Sequence, residues 1–195
     1  MNASLSLLVL SGLFLNLPLQ LGLGIKEIWR ERNRPFYIPF FECLVLFLSI
    51  IIQWLLFSFI FSPLNLGFLK YFFIFPLSTG ISTGFELVFS LLSPQSAGKH
   101  GKIFSFSALS GLSIAAVLLV LFLADTVGDA LILDLGFSAG VYISMIILKA
   151  IRIRISDEKK NPFFSGIPLL FISMGLLSLV WTSAAIIYLS TQGIF

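Results

Sequence analysis

Six long apolar stretches separated by short polar connections occupy nearly the whole chain. A hydrocarbon core of about 30 Å needs roughly 20 apolar residues per helix. The stretches meet that length and predict helices at 4–25, 36–62, 66–93, 103–124, 128–150 and 166–190. The expected fold class is therefore an all-α membrane protein, a single transmembrane domain over residues 1–195. Connections this short leave no room for a soluble catalytic domain, a nucleotide pocket or a large ectodomain.

The first stretch is interrupted. Its segment "LNLPLQLGLGIK", residues 15–26, carries Asn16, Pro18, Gln20, Gly22 and Gly24 where an undisturbed helix is expected. Pro18 lacks a backbone N–H and its ring clashes with the carbonyl four residues earlier, while the glycines lower the cost of irregular backbone. The fourth stretch has a counterpart in "SFSALSGLS", where Ser105, Ser107, Ser110, Gly111 and Ser113 supply hydroxyls and a glycine that can satisfy freed backbone groups. Two readings stand side by side. Either the first and fourth helices are both broken and line a site at the bilayer midplane, or a proline kink and a set of packing serines serve structure alone.

Charge placement adds topology to this pattern. Eleven of the twelve Lys and Arg lie in the first, third and fifth connections: Lys26, Arg30, Arg32 and Arg34; Lys99 and Lys102; Lys149, Arg152, Arg154, Lys159 and Lys160. The positive-inside rule puts these connections in the cytoplasm and both termini on the outer side. The second connection, "FSPLNL", and the fourth, "ADTVGDA", lack Lys and Arg. In the first three helices the basic connection comes first and in the last three it comes second. Two similar units of three spans enter the membrane in opposite orientations, and the reversal predicts a 3+3 inverted repeat.

Composition agrees with the bilayer: 58% hydrophobic residues, 11% charged, 22 Phe and a mean hydropathy of +1.06. The net charge of +3 follows the cytoplasmic connections and carries no basic and aromatic interleaving, so no nucleic-acid partner is expected. Met1 to Ser11 has no basic start, and no small-residue cleavage pattern follows, so the first helix is expected to be retained.

Candidate chemistry is sparse. There is no CxxC, HExxH or His and carboxylate cluster at ligand spacing, so no metal site is expected. The single Cys43 reads as a small packing residue, and His100 in "SAGKHGK" as part of a solvated connection without the spacing of a phosphate loop. Gly80 and Gly84, Gly136 and Gly140, and Ser107, Gly111 and Ala115 repeat every four residues and predict close helix packing, within the chain or against a partner. Glu86, one turn after Ser82 and Thr83, is the candidate for an ion pathway, set against a solvated carboxylate near the cytoplasmic end. Lys70 and Asp134 are expected to snorkel or pair near the outer ends of their helices, and Glu42 to reach Arg34 at the interface.

The order and spacing of short motifs resemble the six-helix membrane subunits of the Rnf/Nqr electron-transport complexes, in the RnfA/NqrE-like branch. The motifs are "LNL" at 64–66 with Lys70, "FELV" with Glu86, "SP" at 93–94, "GFSAGV" at 136–141, "AIRIR" at 150–154, "NPF" at 161–163 and "ISMGLLSL" in the last helix. The resemblance runs nearly end to end. It implies an inner (plasma) membrane subunit of a complex coupling electron transfer to Na+ or H+ translocation. The implied partners are lipid, a homologous membrane subunit of opposite orientation, and other redox subunits. It also implies a break in each repeat that supplies a cysteine to a shared [2Fe-2S] cluster. Here the chain departs: Lys26 stands at the first cysteine position and Leu112 near the second. Neither replaces a thiolate ligand to iron, so the expectation is a diverged subunit, without catalytic residues of its own, that holds no cluster. A small inverted-repeat ion channel or transporter and a purely structural membrane partner remain as alternatives.

Overall fold

A computed structural model describes residues 3–21, 37–64, 66, 70–92, 111–157 and 167–191. Among these residues there is helix and no strand. The first span is α1 (Ala3–Val9), a π-turn over Leu10–Phe14, and α2 (Leu17–Leu21). Next come α3 (Tyr37–Leu56), which runs on as a π-turn over Phe57–Phe61, and α4 (Lys70–Leu92). The chain continues with α5 (Gly111–Leu123), α6 (Val127–Asp157) and α7 (Ile167–Thr191). Among the described residues three helical stretches are long and apolar enough to cross a membrane: Phe40–Phe61, Val127–Ile151 and Phe171–Thr191.

The centre of the molecule is α6. Of its membrane-length stretch 56% is buried, against 33% for that of α3 and 17% for that of α7. It packs on α1, the first π-turn, α2, α3, α5 and α7. Its start is fixed by Thr126, whose Oγ1 accepts from the Asp129 N–H at 3.2 Å and donates to Asp129 Oδ2 at 2.7 Å. The pair satisfies one orphan N–H of the first turn and sets a carboxylate near the positive end of the helix dipole.

Helix directions follow from a few contacts. The first span and α6 run parallel, since Ser11 lies against Gly136, Gly12 against Gly136 and Gly140, and Asn16 against Gly140. By contrast α3 and α6 are antiparallel. Phe40 at the start of α3 meets Tyr142 edge to face, with ring centroids 5.9 Å apart. At the other end of α3, Phe61 packs on Phe73 of α4 at 5.2 Å, and nearby Tyr71 shares an apolar cleft with Leu118, Leu119, Leu121 and Phe122 of α5. Only Ala124 to Thr126 separate that end of α5 from the start of α6. So α3 begins level with Tyr142 and ends near the start of α6.

The distribution of polarity is inverted relative to a soluble domain. Phe72, Leu91 and Phe122 are 75%, 73% and 80% exposed, and α7 turns Phe171, Leu176, Leu179, Val180 and Ile187 outward. Inside lie Asn16, Glu42, Ser49, Gln53, Asp134, Ser138, Ser144 and Lys149, all buried. An apolar exterior, over an apolar core that also holds these polar side chains, marks a membrane-embedded protein, because hydrocarbon replaces water as the outer solvent.

Candidate functional site: a polar seam along the central helix

The interruption of the first span is local and fully satisfied. The Leu15 N–H donates to the Leu10 carbonyl at 2.8 Å, five residues back, which closes the π-turn. Asn16 then caps α2: its Oδ1 accepts from the Leu19 N–H at 3.3 Å, the third position after the cap. Pro18 is buried in the first turn of α2, where a missing N–H leaves no vacant bond. Without the side chain of Asn16 the freed groups would face an apolar interior. The structure interrupts the first helical stretch at Leu15 and Asn16, and Pro18 follows in the first turn of α2.

Asn16 also ties the break to α6. Its Nδ2 donates to the carbonyls of Gly12 and Gly140, both at 3.2 Å, and its Oδ1 accepts from Ser144 Oγ at 3.0 Å. Both amide protons are used, and Oδ1 accepts from the Leu19 N–H and shares the single Ser144 hydroxyl proton with the Gly140 carbonyl, which lies 2.7 Å from that hydroxyl, so a buried amide is retained at low cost.

Close approach is set by glycine. A Cβ on Gly140 would stand 2.5 Å from the Gly12 carbonyl oxygen, and one on Gly136 would collide with Ser11 Oγ and lie 2.9 Å from the Leu8 carbonyl oxygen. The Gly136 and Gly140 pair is thus used within the chain. Gly80 and Gly84 have the same spacing, yet a Cβ on either meets nothing within 4 Å.

Two further polar pairs are buried, one on α3 and one on α6. Gln53 Nε2 donates to Ser49 Oγ at 3.2 Å, and Ser138 Oγ donates to Asp134 Oδ1 at 3.4 Å. Gln53 and Asp134 are both fully buried, and Gln53 Oε1 and Asp134 Oδ2 have no hydrogen-bond partner. This corrects the expectation for Asp134. Its position near the end of a helix suggested snorkelling or pairing there; the side chain is fully buried and does not snorkel, and Ser138 is its hydrogen-bond partner. Glu42 is wholly buried, and the Arg34 it was expected to reach lies outside the described residues.

The remaining sequence candidates are placed as follows. Ser82 Oγ donates to the Thr79 carbonyl at 3.2 Å and Thr83 Oγ1 to the same carbonyl at 2.6 Å, so both bond to their own helix, and Thr83 faces outward. The side chains of Glu86 and Lys70 lie outside the described residues, as do Gly22, Gly24, Lys26, Arg34 and Ser110. Of the proposed second break only the end is described: Gly111 opens α5, and Leu112 is buried in the apolar core with Ala116 and Val120. Cys43 is buried in the core of α3, among Leu46 and Ile50. Among the described residues no three His, Cys, Asp or Glu side chains gather at one point.

Sequence reasoning passed over Ser49, Gln53, Ser138 and Ser144. A signal was available in two polar pairs four residues apart, Ser49 with Gln53 and Asp134 with Ser138, each on one face of an otherwise apolar helix. In comparisons with known proteins, no family model and no curated protein matches the chain.

Proposed function

We propose that this chain is an integral membrane subunit of an Rnf/Nqr-type complex, of the RnfA/NqrE-like branch, that couples electron transfer to Na+ or H+ translocation without binding an iron-sulfur cluster itself. The observation that carries the reading is the break at Asn16 and Pro18, followed ten residues after Asn16 by Lys26, the position of the first thiolate in the resembled family. A break at membrane depth is tolerated where it is buried in protein, and here it is held by α6.

The finer architecture belongs to the same proposal. It has six spans in a 3+3 inverted repeat, with both termini on the outer side of the inner (plasma) membrane. The opposite directions of α3 and α6 support the inversion, because these helices hold the second place in the two halves. The basic connections support the orientation. The apolar faces of α4 and α7 supply the surfaces for lipid and for a homologous membrane subunit of opposite orientation.

A second reading, a small ion channel or transporter on the same scaffold, is favoured by one feature that the redox reading does not require. That feature is the buried carboxylate Asp134. A purely structural partner would need no such group.

Copurification tests the first reading. The tagged chain, expressed in its own cell membranes and extracted in mild detergent, should bring down flavin-bearing and iron-sulfur subunits identified by mass spectrometry. Recovery of the chain free of redox subunits, under conditions that keep other membrane complexes whole, would count against it.

A further inference from the structure

Asp134 stands seven residues, about 10 Å, into α6 from Val127, and the protein's own atoms cover it completely. Its neighbours along the helix, Ala130, Leu133 and Phe137, belong to the apolar core. Among the described residues Ser138 Oγ is its one hydrogen-bond partner, 3.4 Å from Oδ1, and Oδ2 has none. A carboxylate enclosed in this way needs a counter-charge or several donors.

The elements packed on α6 supply neither. In α1, the first π-turn, α2 and α5 there is no ionisable side chain. Those of α3 are Tyr37, Glu42 and Cys43, all near the Phe40 end. Phe40 meets Tyr142, eight residues past Asp134, so even Cys43 stops about 7 Å short of Asp134 in depth. The one ionisable group of α7 is a phenol, that of Tyr188. Before Asp134 in the chain come only more acids, Asp125 and Asp129, the second bonded to Thr126. The cations of α6 begin at Lys149, fifteen residues past Asp134 and about 22 Å away, with Arg152 and Arg154 beyond.

A proton meets the need without a group from any other helix. In the neutral acid, Oδ1–H donates to Ser138 Oγ across the same separation, and Oδ2 is left as a carbonyl-type oxygen. A neutral acceptor without a partner costs far less in a dry interior than an uncompensated charge. We propose that Asp134 is a proton-binding site in the membrane interior, holding one proton at neutral pH as a carboxylic acid hydrogen-bonded to Ser138. The site belongs to the chain itself and does not rest on membership of a redox complex.

Infrared spectroscopy of the full purified chain, at neutral pH in a detergent without ester groups, tests the assignment. A carboxylic acid has a C=O stretch that an ionised carboxylate lacks, and solvated aspartates are ionised at this pH. The expected spectrum has such a band, which shifts when aspartate carboxyls are labelled with carbon-13 and disappears in Asp134→Asn. Labelling leaves the wild-type protein unaltered and separates Asp134 from the buried Glu42, whose band would stay in place. If Asp134→Asn does not fold, Ser138→Ala carries the assignment: loss of the hydrogen bond should move the labelled band to higher frequency, and an unmoved band overturns the site. A spectrum with no acid band from labelled aspartate overturns it, as does a band that survives in Asp134→Asn. A band seen in choline chloride and removed by sodium or potassium chloride assigns a metal cation to Asp134 and also overturns it. The assembly reading fails or holds separately, on copurification.

Discussion

Asn16 Nδ2 donates to the Gly140 carbonyl across 124 residues of sequence, and this bond fastens the break in the first span to the glycine seam of α6. The same amide serves Gly12, Leu19 and Ser144. Asn16→Ala removes all four bonds and takes a partner from the Gly12 carbonyl and the Leu19 N–H, while the Gly140 carbonyl keeps its bond from Ser144 Oγ at 2.7 Å. With interhelical bonds worth about 0.6 to 1.7 kcal/mol each in membranes, the loss should be about 2 kcal/mol, read by denaturant unfolding in micelles. Asn16→Asp should cost more, since a carboxylate cannot donate to Gly12 and Gly140. A stability within about 0.5 kcal/mol of wild type for either variant would show that the break is held by other contacts.

Glycine substitutions separate the two GxxxG motifs. Gly136→Ala and Gly140→Ala force methyl groups into backbone and into Ser11, and should destabilise the isolated chain by about 1 to 3 kcal/mol each. Gly80→Ala and Gly84→Ala meet open space, and exchanging glycine for alanine inside a helix gains up to about 1 kcal/mol. The measurement is the unfolding midpoint of each variant in one detergent. Equal effects at the two motifs would contradict the packing of α1 on α6.

How far the sequence could be read follows from where each interaction lies. The interruption was legible because Asn16 and Pro18 act on their own backbone, whereas Gly22 and Gly24 lie outside the described residues. Its fastening was not, because Gly140 and Ser144 reach Asn16 only after the chain folds back. Both GxxxG motifs were visible, but spacing gives a face and not its occupant, so Gly136 and Gly140 could not be told from Gly80 and Gly84. Asp134 was misjudged because distance from a helix end gives depth alone. Its pairing with Ser138, one turn on, marked the buried face.

Topology rests on the positions of eleven Lys and Arg in three connections. A reporter fused after Phe195 that is active only outside the cytoplasm should give signal, and a cytoplasm-only reporter should be silent. The parallel course of the first span and α6 adds a second check. Reporters placed in the connections that follow these two helices should report the same side. Opposite sides would be irreconcilable with Gly12 and Asn16 lying against Gly140.

Iron chemistry gives the last test. A [2Fe-2S] centre needs four ligands, typically thiolates, and this chain has one cysteine. Cys43 is buried in the core of α3, whereas the break that would face a cluster lies on the first span, beside α6. The chain expressed alone should therefore carry no iron and no sulfide by chemical analysis, and no cluster signal by electron paramagnetic resonance after reduction. Lys26→Cys restores the thiolate at the first position of the resembled motif but leaves Leu112 at the second, so it too should remain free of iron when expressed alone. Lys26→Cys with Leu112→Cys, coexpressed with a homologous membrane subunit that supplies the other two thiolates, should gain iron if the scaffold is that of the resembled family. Stoichiometric iron in the unmodified chain, lost in Cys43→Ser, would instead make Cys43 a ligand and place the site on α3.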